Sequence, residues 1–156
     1  MQTMIVLEDF VNPLFGLLEE TFEKPMGIYL DANTSLFQTL ESISAENASM
    51  PVGGKCASLA AQVAHITYYL EVLERIMVHG DHSPAEWSKI WRTIADVSPS
   101  EWDITRDQLR QAFARTKSTF RSNPVWNADS IEGALAVLAH TAYHLGEIRQ
   151  ALCMLG

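Results

Sequence analysis

Apolar residues recur at helical spacing in four long stretches of this sequence, and clusters of Pro, Gly, Ser and Asn separate those stretches. A repeat of three to four residues places apolar side chains along one side of a helix, whereas a strand needs strict alternation. Strand patterns are weak throughout the chain. The sequence therefore predicts an all-α fold.

Breakers and capping residues set the expected limits of these helices. The long helices are predicted at about residues 7–24, 56–78, 100–121 and 129–154. Ser100 is the expected cap of the third, and Asp129 or Ser130 of the fourth. Shorter helices are expected at about residues 34–42 and 85–91, the second of them between the second and third long helices.

A chain of 156 residues fits a single domain, and we expect one domain over residues 1–156. Two of the four long helices are apolar over most of their surface, so they need extensive burial. A four-helix bundle, with one short extra helix between the second and third long helices, is the economical way to provide it.

Composition excludes several classes of function. The net charge of -8 argues against a nucleic-acid partner, because binding to phosphates requires a basic surface. No apolar run reaches the 18 or more residues of a membrane span, and acidic Glu8 and Asp9 follow the short apolar N-terminal run where a signal peptide would continue. We expect a cytoplasmic protein that does not bind membranes.

The two cysteines, Cys56 and Cys153, are far apart and form no CxxC pair. So few cysteines do not make a disulfide scaffold, and we expect two reduced thiols packed against the protein. A catalytic pairing of cysteine with histidine remains an alternative.

Two segments point to a metal site. Residues 139–145 contain His140 and His144, and residues 64–70 match them in type at four of seven positions, with His65 aligned to His140. Residues four apart on a helix lie on one face, so His140 and His144 can reach one ion. A third imidazole would come from His65, which places a three-histidine site between two helices.

Simpler interpretations of these histidines stay open. Helical histidine pairs at this spacing also occur on surfaces or as hydrogen-bonded core groups, and His65 alone on an apolar face is commonly a core histidine with a hydrogen-bond partner. A buried imidazole without a partner costs about 1–3 kcal/mol. Burial of these side chains therefore requires a partner or a metal.

Three histidines without a fourth protein ligand suit Zn²⁺ first, with Ni²⁺ or Fe²⁺ as alternatives, and leave a position for water or substrate. Glu147 lies on the same helix face and would orient a ligand or act as a general base. Its alternative role is a salt bridge with Arg149 or Arg75. Tyr143 is a candidate for lining the pocket.

Two other groups of residues have less definite roles. Five of the eleven basic residues fall between residues 106 and 121, and they form either a solvated helix face or a contact for an anionic ligand or a partner. The four tryptophans are expected to close the ends of the bundle. They are Trp87, Trp91, Trp102 and Trp126.

Residues 139–150, AHTAYHLGEIRQ, resemble the HxxxHxGxxRQ pattern in the last helix of the DinB/YfiT-like superfamily, and residues 60–65, AAQVAH, are similar to its second-helix motif. The resemblance covers nearly the whole chain. It implies an up-and-down four-helix bundle, a homodimer, and His65, His140 and His144 as metal ligands.

Characterised members of that superfamily include transferases and isomerases that use mycothiol, bacillithiol or glutathione. The resemblance therefore implies a metal-dependent thiol S-transferase that joins a low-molecular-weight thiol to a small electrophile. A metal-dependent hydrolase that uses metal-bound water is one alternative, and a non-catalytic, stress-linked metal-binding or ligand-binding protein is another. A shared fold does not determine the reaction.

Overall fold

The computed structural model describes residues 5–51 and 56–155. Within these ranges the backbone is helical, and its extended pairing is limited to an isolated bridge between Pro51 and Ser58. The all-α prediction is confirmed. The helices are α1 (Leu7–Phe22), α2 (Leu36–Glu41), α3 (Ala45–Ser49), α4 (Leu59–His79), α5 (Trp87–Thr93), α6 (Pro99–Arg121) and α7 (Ala128–Leu155). The single-domain prediction also includes residues 1–4, 52–55 and 156, which lie outside the described residues.

Capping explains where the long helices differ from the predicted limits. At the start of α6, Ser98 Oγ accepts the N–H of Glu101, and the Glu101 carboxylate accepts the N–H of Ser98. This reciprocal pair is a capping box, with Pro99 at the first helical position, so the cap is Ser98 and the prediction of Ser100 was wrong. At the start of α7, the side chain of Asn127 accepts the N–H of Ser130 and takes the role expected of Asp129 or Ser130.

Helix α4 packs along both α6 and α7, and α1 packs along α7. Two contacts give the relative direction of α4 and α7. His65 faces His140, and eight residues further along α4, Leu73 Cδ1 would lie 3.2 Å from a Cβ built on Gly133. Residue numbers that increase along α4 are thus matched by residue numbers that decrease along α7, so the two helices are antiparallel. This arrangement brings the two histidine segments to the same level.

An aromatic cluster joins α1, α2 and α6 in the core. The rings of Phe22 and Phe113 are stacked with centroids 3.9 Å apart, and the ring of Phe37 makes a T-shaped contact with each of them. Phe22 and Phe113 are almost completely buried. Stacked and edge-to-face contacts of this kind add to the free energy gained from burial alone.

Four of the five basic residues of α6 form ion pairs with carboxylates outside that helix, and Arg106 pairs with Asp103 within it. The four pairs that leave the helix are Arg110–Glu41, Arg115–Glu74, Lys117–Glu23 and Arg121–Glu19. Exposed pairs of this type each contribute at most about 1 kcal/mol. The basic stripe is thus neutralised by α1, α2 and α4, which leaves little charge for an anionic ligand.

A buried carboxylate organises the segment that follows α1. Oε1 of Glu20 accepts backbone N–H groups from Met26, Ile28, Tyr29 and Leu30 at 3.0–3.3 Å. Burial raises the pKa of Glu20, but these four donors outweigh it and hold the pKa below its ordinary value. The ionised carboxylate therefore fixes the path of residues 26–30.

The two cysteines do not lie where they were expected. Cys56 and Cys153 are both free and exposed, so the prediction of packed thiols was wrong.

Two of the four tryptophans pack within the bundle. Trp102 is buried and its indole N–H donates to the carbonyl of Ile43, while Trp126 packs against Phe10. None of the described helices combines the length and apolar character that crossing a membrane requires.

Candidate metal centre

Three imidazoles converge at the contact between α4 and α7. Nε2 of His65 lies 3.1 Å from Nε2 of His140. One ring nitrogen from each of His65, His140 and His144 lies within 4.8 Å of the others. The sequence placed these residues on two helices, and the antiparallel packing brings them together.

The spacing of the His65 and His140 nitrogens fits a shared ion. Zinc binds imidazole nitrogen at about 2.0–2.1 Å, so two such ligands in a tetrahedral site lie roughly 3.3 Å apart. In addition, Nδ1 of His65 and Nδ1 of His140 are buried without a hydrogen-bond partner in the described part of the chain. These two Nδ1 atoms stay unpaired whether the Nε2 atoms share a hydrogen bond or an ion, so the support for an ion comes from the Nε2 spacing. An all-imidazole set suits Zn²⁺, Ni²⁺ or Fe²⁺ better than Mg²⁺ or Ca²⁺.

Glu147 contacts His144 through Nδ1 of the imidazole ring. Its Oε2 lies 2.8 Å from Nδ1 of His144, one turn earlier on α7. A carboxylate on Nδ1 holds the proton there and leaves Nε2 as the free lone pair. The proposed salt-bridge partners of Glu147 are engaged elsewhere, because Arg75 pairs with Asp81 and Arg149 donates to Thr39 Oγ1.

Burial keeps the three imidazoles neutral near pH 7. It lowers the pKa of His65 and of His140 to about 4, and the neighbouring His144 adds to the effect in both cases. Burial also lowers the pKa of His144, against the opposing influence of Glu147. Neutral imidazole is the form that binds metal, so these histidines need to lose no proton at neutral pH.

Aromatic rings surround the histidines. Tyr69 stacks on His140 with centroids 3.9 Å apart and planes 14° from parallel, and the Trp91 centroid lies 4.4 Å from that of His65. The ring of Tyr143, the predicted lining residue, lies 5.0 Å from His144, but the residue is 62% exposed and therefore occupies the rim.

Trp87 and Trp91 were expected to close the ends of the bundle, whereas both lie at the site together with Tyr69. The ring of Trp87 lies 5.7 Å from that of His65. Helical spacing carried part of this information, since Tyr69 follows His65 by four residues and Trp91 follows Trp87 by four. The fold of residues 80–98 over α4 was not visible in that spacing.

Well-formed cavities lie on the other side of α7. Cavities of about 440 and 400 Å³ are both lined by Tyr29 and Ala142, and the larger also by Arg149 and Cys153. Ala142 points about 160° away from His140 around the helix axis, at roughly 100° per residue. The site histidines and these two cavities therefore lie on different faces of α7.

No protein-family model matches the chain, and neither a curated protein nor a solved structure matches it. The superfamily resemblance therefore stays a prediction.

Proposed function

We propose that this protein is a metal-dependent enzyme of the DinB/YfiT-like kind, with a divalent ion, zinc first, held by His65, His140 and His144. One observation carries the proposal. Within the described residues, these three imidazoles are the one group of three or more His, Cys, Asp or Glu side chains whose ligand atoms all lie within 4.8 Å of one another. Three protein ligands leave a coordination position for a reactant, as catalytic sites require and closed structural sites do not. The proposal includes the four-helix bundle, formed by α1, α4, α6 and α7.

The reaction we propose is thiol S-transfer. A bound ion would supply Lewis acidity that lowers the pKa of a thiol in the open position. The thiol loses its proton to solvent, its sulfur forms a bond to an electrophilic carbon of the second substrate, and the leaving group departs with its electron pair. His65, His140 and His144 would hold the ion, and Glu147 would keep His144 in the orientation that binds.

The position of Glu147 favours a thiol over water as the nucleophile. Its carboxylate is hydrogen bonded to Nδ1 of His144, on the far side of that ring from Nε2. It is thus badly placed to take a proton from a nucleophile on the Nε2 side of that ring, and a thiol, the more acidic of the two nucleophiles, would have less need of such a base if a bound ion lowered its pKa. Metal-dependent hydrolysis and non-catalytic, stress-linked binding remain the alternative functions.

The thiol would come from a separate small molecule of the bacillithiol, mycothiol or glutathione type. The chain's own Cys56 and Cys153 are exposed and lie outside the histidine group. The proposal also keeps the homodimer, the cytoplasmic location and the absence of nucleic-acid and membrane partners.

Elemental analysis of purified protein after metal loading tests the site. Wild type and His82→Ala, an exposed loop variant, are expected to bind one ion per chain, while His65→Ala and His144→Ala bind none and keep their helical circular dichroism. A wild-type protein that takes up no stoichiometric metal under any loading condition disproves the site.

Product analysis tests the reaction. Electrophiles are screened with and without each thiol, using a Cys56→Ser/Cys153→Ser background so that the exposed cysteines do not react. Thiol adducts that depend on both metal and added thiol support the transferase. Turnover without any thiol, with water incorporated into the product, favours the hydrolase instead.

A further inference from the structure

The short helix α5 covers the histidines from outside. Trp91 lies with its ring 4.4 Å from that of His65 and 6.4 Å from that of His144. His65 and His144 are only 9% and 6% exposed. The two cavities on the other side of α7 include no site histidine in their lining. While α5 occupies this position, Trp91 covers His65 and His144, whereas His140 stays partly exposed.

Helix α5 is weakly held compared with the helices beneath it. None of its residues is buried, and α4 is its principal neighbour. Its contacts are the aromatic pairs of Trp87 and Trp91, together with a hydrogen bond from the Glu86 N–H to the Tyr68 hydroxyl at 3.0 Å. Gly80, at φ 62°, ends α4 and begins the connection to α5. Segments with few buried contacts are those that open most readily.

We propose that α5 is a lid over the metal site, and that Trp87 and Trp91 select a substrate with a flat aromatic group. This inference rests on the proposed function of the same histidines. When the lid opens, Trp91 leaves the ring face of His65, a flat group of the entering electrophile takes that place, and Trp91 then stacks on the other face of that group. The surrounding walls are aromatic, since Tyr69 stacks on His140 and Trp87 meets Tyr68 and Tyr69.

Charge at the site agrees with an aromatic substrate. Glu147, the carboxylate next to the histidines, is bound to Nδ1 of His144 and offers little to a cationic group. An aromatic ring gains offset-stacked and edge-to-face contacts with indole and phenol rings that an aliphatic group of the same size does not. The expected co-substrate is thus an aromatic electrophile.

Chemical modification of histidine tests the lid without any metal. Metal-free wild type, Trp91→Ala and Trp126→Phe are treated with diethyl pyrocarbonate, and modification of each histidine is followed by mass spectrometry. Trp126 packs against Phe10 and Phe120 and serves as the control. Modification of His65 and His144 should accelerate several-fold in Trp91→Ala alone, while His82 reacts at one rate in all three proteins. Equal rates at His65 and His144 in wild type and Trp91→Ala overturn the lid.

Indole N–H signals in NMR spectra test the substrate class. Nitrobenzene is expected to shift the signals of Trp87 and Trp91 saturably in the wild type, and to bind about tenfold more weakly to Trp91→Ala, the scale of one aromatic contact. Cyclohexanol, the aliphatic control, should shift neither. Equal binding of both probes, or shifts confined to Trp102 and Trp126, overturns aromatic selection. Because both tests use metal-free protein, their failure is separate from a failure to bind metal.

Discussion

The carboxylate of Glu147 and Nδ1 of His144 lie 2.8 Å apart, one turn from each other on α7. Of the three site histidines, His144 is thus the one whose outward nitrogen already has a partner, whereas Nδ1 of His65 and of His140 has none among the described residues. The tautomer of His144 is set before any ion arrives.

Glu147→Gln is expected to weaken metal binding. The amide can still accept a hydrogen bond, but without charge it makes the imidazole less basic, and loss of such a partner typically costs about 10–100-fold in affinity. Titration against a competing chelator measures the change. Glu132→Gln, at an exposed position of the same helix, should bind as the wild type does. Unchanged affinity in Glu147→Gln would remove Glu147 from the site.

Acid should destabilise the protein through Glu20. Its four backbone donors lower its pKa below the ordinary 4.5, so the unfolded chain takes up the proton first as the pH falls. The stabilisation is complete above about pH 4.5 and disappears as the pH passes below the folded pKa. Urea unfolding between pH 7 and pH 3 measures it. Glu20→Gln should be less stable at pH 7 and lose this part of the pH dependence, while exposed Glu8→Gln keeps it.

Phe113→Ala should leave a cavity beneath the stacked ring of Phe22. Removing a buried phenylalanine side chain usually costs about 3–5 kcal/mol. The free energy of unfolding from urea titration gives the value, with Val125→Ala at an exposed position as the control. A cost below about 0.5 kcal/mol, the usual range for surface substitutions, would contradict the packing described for this cluster.

Ser98→Ala should destabilise α6 by removing half of its capping box. The N–H of Glu101 would lose its acceptor, at a cost of about 0.5–2 kcal/mol. Ser118→Ala, on the exposed side of the same helix, should be neutral or slightly stabilising, because alanine is the better helix former. Thermal unfolding followed by circular dichroism compares the two. Equal stabilities of the two variants would mean that Ser98 does not cap the helix.

Local rules accounted for the helical class and for most of the helix limits. Apolar spacing placed α1, α4, α6 and α7 within a few residues of their observed ends, because helix formation depends on neighbours along the chain. The short α3 was missed, since a helix of five residues carries too little periodicity to recognise. Capping was misplaced by two or three residues where several Ser, Asn and Asp side chains compete for one helix start.

The histidines of the site were predictable, and their aromatic surroundings were not. Spacing alone puts His140 and His144 on one face, and the near-repeat singled out His65. The contact of Trp91 with His65 depends on how residues 80–98 fold back over α4, which no local pattern encodes. The exposure of Cys153 likewise depends on which side of α7 the other helices cover.

The 3.1 Å contact between His65 and His140 joins positions 75 residues apart in the chain. An ion shared by these side chains would close a long loop and bind only after α4 and α7 have docked. It would therefore act as a brace on the folded state, adding about 2.7 kcal/mol of stability when the free metal is 100 times its dissociation constant. The thermal resistance and cellular lifetime of the protein would then rise and fall with the supply of metal.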